Sequence, residues 1–308
     1  MPLKFRRGVA ADRTTITPAQ GEPIYTTDTK KMYIGDGSTA GGVEVGGGGT
    51  LTVNTQDFTS SGTWTKPANA VWIEVTMCGG GEDGDSGTTS SMGRGGSAGQ
   101  FASKTFLAAD ISSTVSVTCG SSQSVNTYTS ASQSTFGTYL YANGASITYT
   151  GSSLEINSVS NVLVTNVGAD LGYNFFGAYG FGEEGRHGNV FGPAGGGSGG
   201  ESGNGFAGGK ASTGKAGSSP DVPQLGGGGA GGASGTTGVA GTAGGYDTVT
   251  GFGNGGGGGG QGTSGAGGAG GAAVRGGGGG GGGKGTTTGG AGGAGGAGFV
   301  RVRTLCFG

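Results

Sequence analysis

The sequence is poor in most of the residues from which catalytic and ligand sites are made. It holds a single histidine, His187, and only 11% of its residues are charged. One histidine rules out multi-histidine metal centres, and no Ser/His/Asp set can be assembled around it, so it reads as a surface loop residue. A net charge of −2 is not the basic footprint of a DNA- or RNA-binding surface, and no nucleic-acid partner is expected. The cysteines Cys78, Cys119 and Cys306 are odd in number and widely spaced. That is neither a disulfide framework nor a zinc pattern; each lies at the end of a predicted strand and reads as a small buried hydrophobe. No apolar run approaches the ~20 residues of a membrane span. The opening Met1-Pro2-Leu3-Lys4-Phe5-Arg6-Arg7 has charge but no apolar core behind it, so the expectation is a protein made in a cytoplasm and not exported by a standard amino-terminal signal. Low charge also argues against ordinary polar disorder.

What the chain has instead is glycine, 85 of 308 residues. The tract from Gly226 to Gly298 is 41 glycines in 73 residues. Ordering such a backbone costs about 1–2 kcal/mol per residue, and glycine loses more freedom than any other residue, so a flexible linker is the first reading. The tract is followed, however, by Phe299-Val300-Arg301-Val302-Arg303-Thr304-Leu305-Cys306-Phe307, which reads as a closing strand. A linker has no reason to return to a sheet. Helix is disfavoured by about 1 kcal/mol per glycine, and strands want β-branched or aromatic residues. The remaining form is the extended left-handed helix with three residues per turn, whose N–H and C=O groups point outward and need partners when buried. Ala266, Ala269 and Ala272 are spaced by three, as are Ala291, Ala294 and Ala297. Each set then lies along one edge and leaves two edges of bare glycine for backbone-to-backbone packing. The expected fold is therefore all-β with a polyglycine-II-type glycine-rich bundle. Collagen is excluded, because the period is interrupted and proline is nearly absent from the tract.

Residues 1–45 read as a separate small β unit. Ile24-Tyr25-Thr26-Thr27 and Lys31-Met32-Tyr33-Ile34 form two strands around Asp28-Thr29-Lys30, and Gly35-Asp36-Gly37 makes a second turn. So few residues bury little core and call for oligomerisation or another staple. Residues 46–54, opening on Gly46-Gly47-Gly48-Gly49, read as a linker, and residues 55–308 as one glycine-rich β domain. Within it Val71-Trp72-Ile73-Glu74-Val75-Thr76-Met77-Cys78 alternates as a strand with Val71, Ile73, Val75 and Met77 on one side and runs into Gly79-Gly80-Gly81. Thr114–Gly120 repeats that design, Ser134–Leu140 reads as one further strand, and Ala145–Val167 as inserted strands.

The order Phe5-Arg6-Arg7-Gly8, Gly21-Glu22-Pro23, Thr27-Asp28-Thr29-Lys30 and Tyr33-Ile34-Gly35-Asp36-Gly37-Ser38-Thr39 resembles the amino-terminal domain of phage major tropism determinants and related tail-fibre starts. Gly41-Gly42 stands where that family often carries an aromatic. Gly62-Thr63-Trp64-Thr65-Lys66-Pro67, Gly93-Arg94-Gly95-Gly96-Ser97-Ala98-Gly99, Phe136-Gly137 and Gly298-Phe299-Val300-Arg301-Val302 resemble the glycine-rich domain of phage tail fibres and adhesins, including the distal adhesins of T-even-type phages. The resemblance implies a homotrimer in the virion, attached to other tail or baseplate proteins through residues 1–45. It implies loops between glycine blocks that bind a host cell-surface receptor, a glycan or an outer-membrane protein. Alternatives are a head fibre or capsid decoration protein, a polysaccharide depolymerase, which would need a cleft with paired carboxylates, and a silk-like structural protein.

The chemistry otherwise on offer is thin, and neither catalysis nor a cofactor is expected. Gly265-x-Gly267-x-x-Gly270 matches a dinucleotide fingerprint only formally, since no strand precedes it and no helix follows. Gly283-Lys284-Gly285 lacks the Ser/Thr of a phosphate loop. Glu82, Asp83 and Asp85 cluster in a glycine turn but lack the further ligands of a calcium loop; they read as a solvated turn, with no metal. Glu183, Glu184 and Arg186 read as a surface ion pair. The receptor-binding candidates are the aromatics between glycine blocks: Tyr173, Phe175, Phe176, Tyr179, Phe181, Phe206, Tyr246 and Phe252. Phe191 sits in the same setting. Rigid aromatic anchors on glycine-bearing loops suit recognition; the competing role is to cap glycine layers or fill an interface.

Overall fold

The computed structural model describes residues 6–46, 50–125, 127, 129–145, 192–207 and 229–307. The chain divides into two compact units, Met1–Thr52 with Phe307–Gly308, and Val53–Cys306. Among the described residues helix is confined to one short turn of α-helix and two 3-10 turns, and the regular structure is β-sheet.

The first unit is a four-stranded sheet in chain order. β1 (Arg6–Gly8) runs parallel to β2 (Pro23–Thr26), and β3 (Met32–Ile34) and β4 (Val43–Val45) add antiparallel. The β2–β3 hairpin turns at Lys30, held at φ 57°. Ile24, Tyr33 and Thr26 are its buried residues, a small core of the size expected from so short a stretch. Its turns are tied by carboxylates. Asp28 accepts the Ala10 N–H, and Asp36 accepts the Thr39 hydroxyl and the N–H groups of Thr39 and Ser38; these bonds hold both carboxyls below the usual range. The Gly41-Gly42 pair has its own reason. Both residues lie at positive φ, and the Gly41 carbonyl accepts from Arg13 Nη1 at 2.8 Å while that guanidinium stacks 3.7 Å over the Tyr33 ring. A side chain at Gly41 would strike Arg13.

The second unit has two sheets and one core. β6 (Gly62–Thr65), β9 (Thr114–Thr118), β10 (Ser134–Phe136) and β11 (Leu140–Ala142) form one sheet in the order β11-β10-β9-β6. β5 (Leu51–Phe58), β7 (Ala70–Cys78), β8 (Phe101–Leu107) and β12 (Phe299–Phe307) form the other in the order β5-β12-β7-β8. The alternation along β7 places Ile73, Val75 and Met77 inward with no exposed surface, against Val300 and Val302 of β12 and Trp64, Val117 and Phe136 of the facing sheet. Each such side chain contributes about 1.5–3 kcal/mol by leaving water. Trp64 and Phe136 meet edge to face at 5.5 Å. Thus the two ends of the domain sequence, β7 and the closing β12, lie side by side with Phe299 opposite Cys78. The stretch Ser134–Leu140 departs from expectation. It is a hairpin rather than one strand, because Gly137 takes φ 52° and reverses the chain between β10 and β11. Cys78, Cys119 and Cys306 are free thiols; Cys78 and Cys306 are buried, and burial pushes the half-buried Cys119 up to about 11.

Between Cys78 and β8, and again over residues 192–207 and 229–298, the backbone is neither helix nor ladder. Its hydrogen bonds recur every third residue and point in different directions on successive residues. Within residues 276–285, Gly278, Gly281 and Lys284 donate to Ala194, Gly197 and Gly200; Gly279 and Gly282 donate to Glu82 and Asp85; Gly280 and Gly283 donate to Gly271 and Gly268. The same segment accepts from Gly93, Gly96 and Gly99, from Gly256 and Gly259, and from Gly290, Gly293 and Gly296. It is therefore enclosed by six neighbouring segments, three reached by donation and three by acceptance. No side chain fits between them. A Cβ on Gly280 would lie 2.0 Å from the Gly257 carbonyl oxygen, and one on Gly293 would lie 2.1 Å from that of Gly271. Ala291, Ala294 and Ala297, three apart, are exposed while Gly290, Gly293 and Gly296 are buried.

Candidate functional site

The direction of the glycine segments decides which loops share a surface. Gly93, Gly199 and Gly282 lie at one level, linked by Gly93 N–H to Gly282 O and Gly199 N–H to Gly93 O. Gly99, Gly276 and Ala297 lie at the opposite level, linked by Gly99 N–H to Gly276 O and Gly276 N–H to Ala297 O, next to the strands. Segments alternate between these levels, so the connections beyond the first level all fall at the end remote from the sheets. They are residues 88–91, 201–203, 234–237, 263–265 and 286–288.

These five turns are joined into one surface. Ser234 N–H reaches Asn204 Oδ1, Thr263 Oγ1 reaches the Gly235 carbonyl, Thr286 Oγ1 reaches that of Gly265, and Gly285 N–H reaches that of Thr88. The exposed residues are almost all hydroxyl-bearing: Thr89, Ser90, Ser202, Ser234, Thr236, Thr237, Thr263, Ser264, Thr286, Thr287 and Thr288. No aromatic belongs to these turns. What this end offers a ligand is a flat set of hydroxyls and backbone groups on a backbone that is fixed from below. The sequence signal was present, since each Ser/Thr cluster interrupts glycine blocks. What could not be read was that they share one end.

Of the aromatic candidates, Phe206, Tyr246 and Phe252 are described, and none of the three belongs to these turns. Tyr173, Phe175, Phe176, Tyr179 and Phe181 lie outside the described residues, as do Phe191, His187, Glu183, Glu184 and Arg186. The flanks of that stretch are described, and both are at the strand end: Ala145 N–H donates to the Gly80 carbonyl, and Gly192 lies against Phe101. Phe206 is half-buried in a glycine segment, its carbonyl accepting from Gly258. Phe252 is 2% exposed and packs between Phe101 and Phe299 at 5.3 and 5.6 Å, the place of a residue that caps glycine layers. Tyr246 is exposed, but the Arg275 guanidinium lies 3.7 Å over its ring and also donates to the Gly251 carbonyl. Arg301 completes this clasp, binding both Asp57 oxygens at 2.7 and 2.9 Å and the Val249 carbonyl at 2.6 Å. The loop from Tyr246 to Phe252 thus fastens the glycine segments to β12.

The acidic cluster differs from the expected solvated turn. Glu82 is 4% exposed. Arg94 pairs with Asp85 at 3.0 Å and Glu82 at 3.4 Å, Glu82 also accepts the Ser97 N–H, and Asp83 accepts the Gly295 N–H. The carboxylates are held in the glycine layers by one guanidinium and backbone donors, because an unpaired buried charge would be costly. Among the described residues no group of three or more His, Cys, Asp or Glu is placed to hold a metal ion. In the formal dinucleotide fingerprint Gly267, Gly268 and Gly270 donate to Thr288, Gly260 and Ala291, so these N–H groups are not open to a phosphate.

Compared with known families, residues 3–39 match the family model described as the major tropism determinant N-terminal domain. The match supports a phage tropism-determinant or tail-fibre-like protein. No curated protein matches the chain.

Proposed function

We propose that this chain is a homotrimeric phage tail fibre or adhesin that binds a host cell-surface receptor, a glycan or an outer-membrane protein. Residues 1–45 attach it to the virion and residues 55–308 are the receptor-binding domain; of the stretch 46–54 expected as a linker, residues 51–54 belong to strand β5. The observation that carries this reading is the tropism-determinant match over residues 3–39. It is supported by the glycine segments, which we read as a polyglycine-II-type bundle because their hydrogen bonds step by three residues toward several neighbours. Such a scaffold presents almost no side chains, so recognition falls to the loops between glycine blocks. Those are the hydroxyl-rich turn end and the stretch carrying Tyr173, Phe175, Phe176, Tyr179 and Phe181. Among the described residues the carboxylates Glu82 and Asp85 are closed off by Arg94, which disfavours a depolymerase site there.

Purified full-length protein, added to host cells before the phage, should reduce phage adsorption in a saturable way. Saturable binding to resistant mutants selected for loss of adsorption, at the same level as to the parent cells, would contradict the receptor reading.

A further inference from the structure

Among the described residues, the outer face of the β5-β12-β7-β8 sheet has no covering within the second unit. Val53 is 58% exposed, and Trp72 and Leu107 are each 46% exposed. Val53 and Trp72, with Leu305 and Thr105, border a shallow groove that Glu74 and Arg303 also line, and Leu107 lies opposite Trp72 on the neighbouring strand. Glu74 and Arg303 pair at 3.4 Å, with 42% and 54% of their side chains in solvent. Strand β5 is the free edge of this sheet and is exposed on both faces over most of its length. Free edges are ordinarily guarded by lysine, proline or a bulge. β5 has neither Lys nor Pro, and its one charged residue, Asp57, is held by Arg301.

We propose that this face is a self-association surface, packed in the assembled protein against a second copy of the chain. The proposal rests on the homotrimer reading above and adds the surface that reading leaves open. Two features select a copy as the occupant. A carboxylate and a guanidinium side by side make the patch complementary in charge to itself, so Glu74 of one copy can meet Arg303 of the next. And Trp72 surrounded by Val53, Leu107 and Leu305 is the anchor-with-rim arrangement of a protein interface, where tryptophan dominates binding energy. A saccharide is the weaker occupant, because the aliphatic neighbours Val53, Leu107 and Leu305 offer it no hydrogen bonds.

The chain has two tryptophans, and Trp64 is fully buried in the core, so Trp72 alone reports on this face. Iodide quenching of tryptophan fluorescence, on full-length protein whose mass is fixed by light scattering, is the test. The expected result is an oligomer in which iodide quenches little, with quenching that rises severalfold on dilution to single chains. Trp72→Glu, checked for its fold by circular dichroism, should move the association midpoint about tenfold or more toward higher concentration. A single-chain mass at micromolar concentration would overturn the homotrimer reading and this surface with it. An oligomer with Trp72 fully open to iodide, or a folded Trp72→Glu protein that associates like the parent, would overturn the surface alone. So would quenching that disappears only when host polysaccharide is added, which would assign the groove to a sugar.

Discussion

Replacing Gly268 with valine should lower the melting temperature of the second unit by about 6–12 °C, taking roughly 3 kcal/mol for overpacking and ~2–4 °C per kcal/mol in a unit of this size. Gly268 donates to the Gly260 carbonyl and is buried. A Cβ there would sit 2.0 Å from the Val239 carbonyl oxygen and 3.0 Å from the Gly238 carbonyl carbon. The obstacle is backbone, which is itself bonded: the Val239 carbonyl accepts from Gly260. No side chain can swing away, so relief requires the 238–245 segment to move and break its own bonds. Gly293→Val meets the Gly271 carbonyl in the same way, at 2.1 Å. Ala269→Ser is the control, since Ala269 is only half-buried on the alanine edge; it should melt within about a degree of the parent, as surface changes do. Differential scanning calorimetry measures all three. A Gly268→Val protein that melts with the parent would show that the backbones are not in contact at that site.

The second large effect is expected in adsorption. Changing Phe175, Phe176 or Tyr179 to alanine should weaken receptor binding by about 2 kcal/mol, roughly thirtyfold in Kd, if the residue is a central anchor, with the melting temperature unchanged. The described flanks of their stretch, Ala145 and Gly192, lie at the strand end, opposite the Ser/Thr turns, and variants in the two sets test the two candidates separately. A charge placed on the turns, such as Thr236→Lys or Thr287→Lys, should leave binding intact when the aromatics read the receptor. Equal binding by the aromatic variants, with binding lost in the turn variants, would move the receptor site to the hydroxyl surface. Lowered melting with normal adsorption at low temperature would put the aromatics in a core, where Phe252 already lies.

Side-chain pattern made some of this architecture legible. The alternation of Ile73, Val75 and Met77, the β2–β3 hairpin around Asp28-Thr29-Lys30, and the closing strand from Phe299 are all set by patterns of apolar and turn residues, and they stand where those patterns put them. β8 was harder, because Phe101-Ala102-Ser103-Lys104-Thr105-Phe106-Leu107 does not alternate cleanly; Lys104 occupies an inward register by laying its ammonium 5.0 Å over the Phe106 ring. The order of the glycine segments was not legible at all. Glycine has no side chain to mark a partner, so the alanine period identifies an exposed edge, as at Ala291, Ala294 and Ala297, without saying which segments adjoin. For the same reason the Ser/Thr clusters could be seen but not assigned to one end. For Phe252 the sequence leaves recognition and layer-capping open; its glycine neighbours here bring the backbone close to Phe299 and Arg301, and the ring is buried.

The most direct test of the tail-fibre reading is to see the protein on the particle. A short epitope placed in the Thr286–Thr288 turn, where the side chains are exposed, can be labelled with an antibody fragment and imaged on intact virions by electron cryomicroscopy. Label is expected on tail appendages, in groups of three per appendage. Label on the capsid would make the protein a head fibre or decoration, and particles that carry the protein nowhere would contradict its place in the virion altogether.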